Sequence, residues 1–144
     1  MTVKLKLRKI LKELASILML TIVVSSLSAC GKSNLKFSDE DTVQLSLREN
    51  TLSPTGAEFI LKTDEFIKYG EKFIIEIQLD GKWYSIDEEF DWHAVECTMQ
   101  AGTEQVLEVD WSSRYGRLPT GNYRFIKPIT VSGTEKYLCC QFEL

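Results

Sequence analysis

The chain has 144 residues, enough for one domain of ordinary size, with 17 lysines and arginines, 21 aspartates and glutamates and a single histidine. Five of the basic side chains (Lys4, Lys6, Arg8, Lys9, Lys12) and one acid (Glu13) lie in residues 1–29; subtracting them from the totals leaves 12 basic and 20 acidic groups from residue 30 onward, a net of −8. That balance argues against a nucleic-acid partner, which needs clustered Lys and Arg, and one histidine leaves little room for a triad enzyme or a cofactor domain.

The basic stretch Lys4–Lys12 is followed by Leu14–Leu27, 14 residues without a charge. A transmembrane helix needs about 20 apolar residues, whereas the apolar part of an export signal needs only about 7–15. Leu27-Ser28-Ala29-Cys30, with Gly31 after it, resembles the lipobox of bacterial lipoproteins. Small side chains let a peptidase bind the strand, and the Cys30 thiol would carry a diacylglyceryl thioether. The resemblance implies a signal peptide over 1–29, lipidation at Cys30 and a place on the extracytoplasmic face of the cell membrane. Two acyl chains would hold the protein there, where one chain binds only reversibly. The other readings are a secretory signal cut after Ala29 and an uncleaved anchor. Residues 31–41 are polar and weakly patterned, and with Cys30 they read as a tether.

From residue 42 the hydrophobic period becomes two. Val43, Leu45 and Leu47 alternate with polar residues as a half-buried strand. Asn50–Gly56 is turn chemistry. Glu58–Lys62 is a second strand with Phe59 and Leu61 on one face. Lys68–Glu71 reads as a turn. Lys72–Leu79 is a strong strand, with Phe73, Ile75, Ile77 and Leu79 on one face. Asp80-Gly81 tolerates positive φ at both positions and predicts a two-residue hairpin returning through Lys82–Ile86. Asp87–Asp91 reads as an acidic loop, and Val95–Gln100 as a short edge strand. Glu104–Trp111 alternates again. Ser112–Gly121 is a long corner, Asn122–Lys127 a strand expected to stop near Pro128, and Lys136–Leu144 the last strand. About seven short strands at regular spacing, with no amphipathic helix, predict an all-β two-sheet sandwich over residues 42–144, with a closed barrel as the rival.

The corner Leu118-Pro119-Thr120-Gly121-Asn122-Tyr123-Arg124 resembles the E–F corner of immunoglobulin-like domains. There a tyrosine returns its hydroxyl to the corner backbone. Two residues on, where antibody domains carry a cysteine, stands Phe125, so an aromatic should fill the space of the missing disulfide. Together with Leu52–Ala57, Tyr69–Glu71, Asp80–Tyr84, Val109–Trp111, Tyr115–Arg117 and Phe142–Leu144, this resembles the bacterial Ig-like domains of small Gram-positive lipoproteins from about residue 43 to the end. The resemblance implies a fold and an extracellular address, and no reaction or catalytic residue.

Three cysteines remain beyond Cys30. Cys139 and Cys140 are strand neighbours and so point to opposite faces. They and Cys97 read as small hydrophobes, as one bridge with a thiol left over, or, least well for lack of paired zinc spacing, as metal ligands. Asp87, Glu88, Glu89 and Asp91 lie beside His93, but their spacing matches no calcium loop. Neither Gly-x-Ser-x-Gly nor a Gly-rich phosphate loop occurs. Trp83, Trp111 and Tyr123 are assigned to the core. Trp92, Tyr115 and Tyr84 are the candidate binding residues, with a capping role over the core as the alternative for Trp92. The function read from all this is a non-catalytic, membrane-anchored lipoprotein binding a protein or cell-envelope component. The alternatives are an accessory or inhibitory module of a secreted enzyme and, further off, a small metal-binding protein. No cofactor is expected.

Overall fold

The computed structural model of the protein describes residues 32–39, 41–86 and 92–144. Alternation sets the strands. β1 (Val43–Leu47) and β2 (Gly56–Thr63) pair antiparallel from Val43↔Thr63 to Leu47↔Phe59. In β2 every second residue, Ala57, Phe59, Leu61 and Thr63, is buried, as period two requires of a strand with one face in the core. The next segments are β3 (Ile67–Tyr69), β4 (Ile74–Leu79), β5 (Lys82–Ser85), β6 (Cys97–Met99) and β7 (Thr103–Asp110). A single helical turn, α1 (Ser112–Tyr115), precedes β8 (Asn122–Val131) and β9 (Thr134–Glu143).

Two antiparallel sheets result. One has the order β1-β2-β7. The other is built on β8, which pairs along its whole length with β9 on one side. Its other side is shared: β4 pairs with Tyr123–Ile126, and β3 with Ile129–Val131. β5 extends the sheet from β4, and β6 from β3. This is the expected Ig-like sandwich.

The aromatics of the two sheets meet between them. Phe59 stacks on Phe125 with centroids 4.0 Å apart and planes 12° off parallel, so an aromatic pair fills the place of the absent bridge. Phe142 lies between Trp111 and Tyr123, at 5.5 and 5.6 Å. The Tyr123 hydroxyl donates to the Pro119 carbonyl at 2.8 Å, which is the expected corner. The Pro54 carbonyl receives both Trp111 Nε1–H and the Leu118 N–H, each at 2.9 Å, and so ties the Asn50–Gly56 turn to the long corner. Asp80 (φ 50°) and Gly81 (φ 73°) make the predicted hairpin.

Several expectations change. The turn at Lys68–Glu71 is instead the end of β3 and a break before β4, so two segments occupy one edge of β8. Pro128 does not stop β8. It lies beside that break, between the last partner of β4 and the first of β3, where the ladder is already interrupted and a missing N–H costs least. The long corner contains α1. Trp83, assigned to the core, is half-buried on the outer face, because the hairpin register sets it opposite Gln78 and beside Glu76↔Ser85.

That outer face is covered. The polar stretch expected as a tether lies along it from Lys32 on, joined to β5 by Ser33 N–H to Trp83 O (3.1 Å) and to β9 by Ser38 N–H to Tyr137 O (3.0 Å). Beneath it Glu76 and Arg124 form an ion pair, Nε to Oε2 2.5 Å, with side chains only 1% and 10% exposed.

Candidate functional site

β8 alternates inward through Tyr123, Phe125 and Lys127. The third of these places an ammonium group in the interior. It is held because the break in the neighbouring edge leaves two carbonyls without ladder partners: Lys127 Nζ donates to Gly70 O at 2.5 Å and to Lys72 O at 3.0 Å. A buried charge persists only when such partners are supplied. Burial pushes the Lys127 pKa down to about 8, against the attraction of Cys97 and Glu71. The Tyr69 ring lies 5.5 Å from Nζ. Burial raises the Tyr69 phenol, and the Cys97 thiol, to which it hydrogen-bonds, adds to this.

Lys127 lies at the floor of a cleft of about 430 Å³ between the two sheets. Tyr69, Phe73 and Cys97 line one wall, and Leu107 and Val109 of β7 the other. At the mouth stand Glu71, Glu108 and Asp110, all exposed, with Arg114 and Trp92. The opening exists because β7 is the last strand of the three-stranded sheet and the facing edge is broken at Gly70.

Trp92 and Tyr115 are brought together here. Trp92 meets Phe73 edge-on at 5.0 Å, and the Arg114 guanidinium covers its ring at 3.6 Å. The Tyr115 ring is 6.1 Å from Phe73, and its hydroxyl accepts the Ile75 N–H at 3.4 Å. Both rings are therefore half-buried caps on the core rather than free surface aromatics. Tyr84 is elsewhere, half-buried on β5 opposite Ile77 and bridged to Lys32. Cys30 and the loop Asp87–Asp91 lie outside the described residues.

Cys97, Cys139 and Cys140 are free thiols. Cys140 faces the Phe59–Phe125 cluster and Cys139 the other side of the sheet. Burial pushes Cys139 up to about 11 and raises Cys140 as well, so both are poor nucleophiles at neutral pH. Among the described residues no group of three or more His, Cys, Asp or Glu could hold a metal ion. Lys127 and the Glu76–Arg124 pair were missed by sequence reasoning. Strand parity was the available signal for Lys127, since it continues the inward series of Tyr123 and Phe125.

No curated protein and no solved structure matches the chain. The family model described as the bacterial Ig-like domain matches residues 39–143. With the paired sheets, the tyrosine corner and the Phe59–Phe125 stack in its interior, the chain belongs to the bacterial Ig-like domain family.

Proposed function

We propose that the protein is a lipid-anchored lipoprotein of the extracytoplasmic membrane face, whose Ig-like domain binds a protein or cell-envelope component without catalysing a reaction. The observation that carries this is the order of features: a basic stretch, an uncharged run, Leu27-Ser28-Ala29-Cys30 and then a sandwich domain. The non-catalytic reading is supported by what the buried polar groups do. Thr63, Glu76, Arg124 and Lys127 are each engaged in a bond that holds the architecture. The binding reading is supported by the cleft mouth, where three exposed acids flank Arg114 and Trp92. A basic segment of a partner fits that charge, and its association would be salt-sensitive.

Two variants test the proposal. Cys30→Ala in the full chain is expected to abolish lipidation and signal processing, so that the protein accumulates as the larger precursor; a variant lipid-modified and processed like the parent sinks the anchor. For binding, the partner is first cross-linked on cells. Glu108→Lys, at an exposed position, is then expected to weaken association by roughly ten-fold without shifting the unfolding midpoint. Unchanged affinity in that variant, together with a Trp92→Ala protein that loses stability but not affinity, would make the cleft mouth part of the core's closure and not a binding site.

A further inference from the structure

Residues 32–38 cross the outer face of the six-stranded sheet from β5 to β9. The crossing begins at once: Lys32 bridges Tyr84, and Ser33 N–H bonds Trp83 O. It is fastened in the middle by the buried pair. The Arg124 guanidinium, held by Glu76, lies 4.6 Å from the Phe37 ring and 4.5 Å from the Trp83 ring. Its Nη2 also donates to Ser33 Oγ at 3.3 Å. This segment is therefore an attached strap.

The attachment has a consequence for the anchor. Cys30 precedes Ser33 by three residues, and consecutive Cα atoms are 3.8 Å apart, so at most about 11 Å of chain separates a lipidated Cys30 from Ser33, which is itself hydrogen-bonded to β5. The polar layer of one bilayer leaflet is itself about 5–8 Å thick. A domain attached so closely stays within a few ångströms of the headgroups. The edge nearest the anchor carries Lys32 and Lys82, both exposed, in a domain whose net charge is −8, with Trp83 and Tyr84 half-buried beside them. Asp80, exposed in the hairpin turn, is the acid among these residues. Lysines favour anionic lipid, and Trp and Tyr favour the interfacial layer.

We infer that the β4–β5 hairpin, with Lys32, Lys82, Trp83 and Tyr84, is a membrane-docking edge that seats the domain on anionic phospholipid headgroups. This rests on the lipid-anchor reading. The strap fixes which edge lies nearest the anchor, because it starts at β5 and is held to the sheet at both ends.

The test uses the full-length protein purified from membranes and reconstituted into vesicles of phosphatidylglycerol and phosphatidylethanolamine carrying a headgroup nitroxide. Mass spectrometry first establishes whether Cys30 carries diacylglycerol. The emission that Trp83→Phe removes is expected to be strongly quenched by the nitroxide. Lys32→Glu with Lys82→Glu is expected to lower the docked fraction by about ten-fold or more, since each lysine at an anionic surface contributes about a five-fold gain. Hydrogen exchange on the unsubstituted protein gives the same reading without a variant: amides of residues 80–85 should be slower on these vesicles than in neutral detergent. Lipidated protein whose Trp83 emission and hairpin amides ignore the vesicle overturns the docking edge and leaves the anchor standing. Protein without lipid on Cys30 overturns both.

Discussion

Tyr123, Phe125 and Lys127 are successive inward positions of one strand, and each solves a different problem of burial. Tyr123 needs a partner for its hydroxyl and finds Pro119 O. Removing that bond with Tyr123→Phe is expected to cost about 0.5–1.5 kcal/mol in urea denaturation, whereas Tyr84→Phe should cost markedly less. Equal and negligible losses would deny the corner its structural role. Lys127 needs partners for a charge, and its burial makes stability depend on pH. In the unfolded chain it titrates near 10.5 and in the folded protein at about 8. Below both values the two states hold the same proton. As pH rises through about 8 the folded lysine releases its proton while the unfolded one keeps it, so the unfolded state binds more protons and stability climbs. The full climb, complete above about pH 10.5, is about 3 kcal/mol. Cys139, raised from 9.0 to about 11, acts with the opposite sign above pH 9, so the clearest window is pH 8 to 9. Denaturation at a series of pH values should show the climb in the parent and none in Lys127→Met. Parallel curves for the two proteins would mean that the lysine titrates normally.

At the scale of elements, two glycines do different work. Gly81 has φ +73° in the hairpin turn, with open space where a Cβ would sit. Gly81→Ala therefore meets only backbone strain, about 1–2 kcal/mol. Gly56 begins β2 against β7, and a Cβ there would lie 2.4 Å from Val109 O, a backbone atom that cannot move without opening the β2–β7 pair. Gly56→Ala should cost more than Gly81→Ala, about 3 kcal/mol or above, and the ranking can be read from thermal midpoints of the two variants. The reverse order would mean that β2 and β7 separate easily at that end. The hairpin was legible in the sequence because Asp-Gly acts locally on its own two residues. The break between β3 and β4 was not, because it is defined against Lys127 and Pro128, some 57 residues away along the chain.

For the whole molecule, the strap joins what would otherwise be an open outer face. It supplies two backbone hydrogen bonds to opposite sides of the sheet and an aromatic cover for Arg124. Expressing the domain from Asp41 onward removes these and leaves the Glu76–Arg124 pair exposed to water. Cation–π and hydrogen-bond contributions together put the expected loss at about 2 kcal/mol. A truncated domain with the parent's unfolding curve would show that the segment contributes nothing to the fold.

The sequence by itself determined the β architecture, the hairpin and the tyrosine corner. Each depends on residues close in the chain: a period of two, a turn dipeptide, and Tyr123 four residues after Pro119. The same alternation placed Phe59 in the core, and the resemblance of the corner to that of Ig-like domains placed Phe125 there. Tertiary structure alone decided three things. Trp83 went outside because a partner strand set its register opposite Gln78. Trp92 and Tyr115 became caps because Phe73, distant from both in the chain, packs against each of them. Lys127 and the Glu76–Arg124 pair could be buried because distant carbonyls, rings and opposite charges came within bonding distance only once the sheets had formed. A single charged letter in a strand reads as exposed until the groups that neutralise it are in place, and those groups are brought there by the fold.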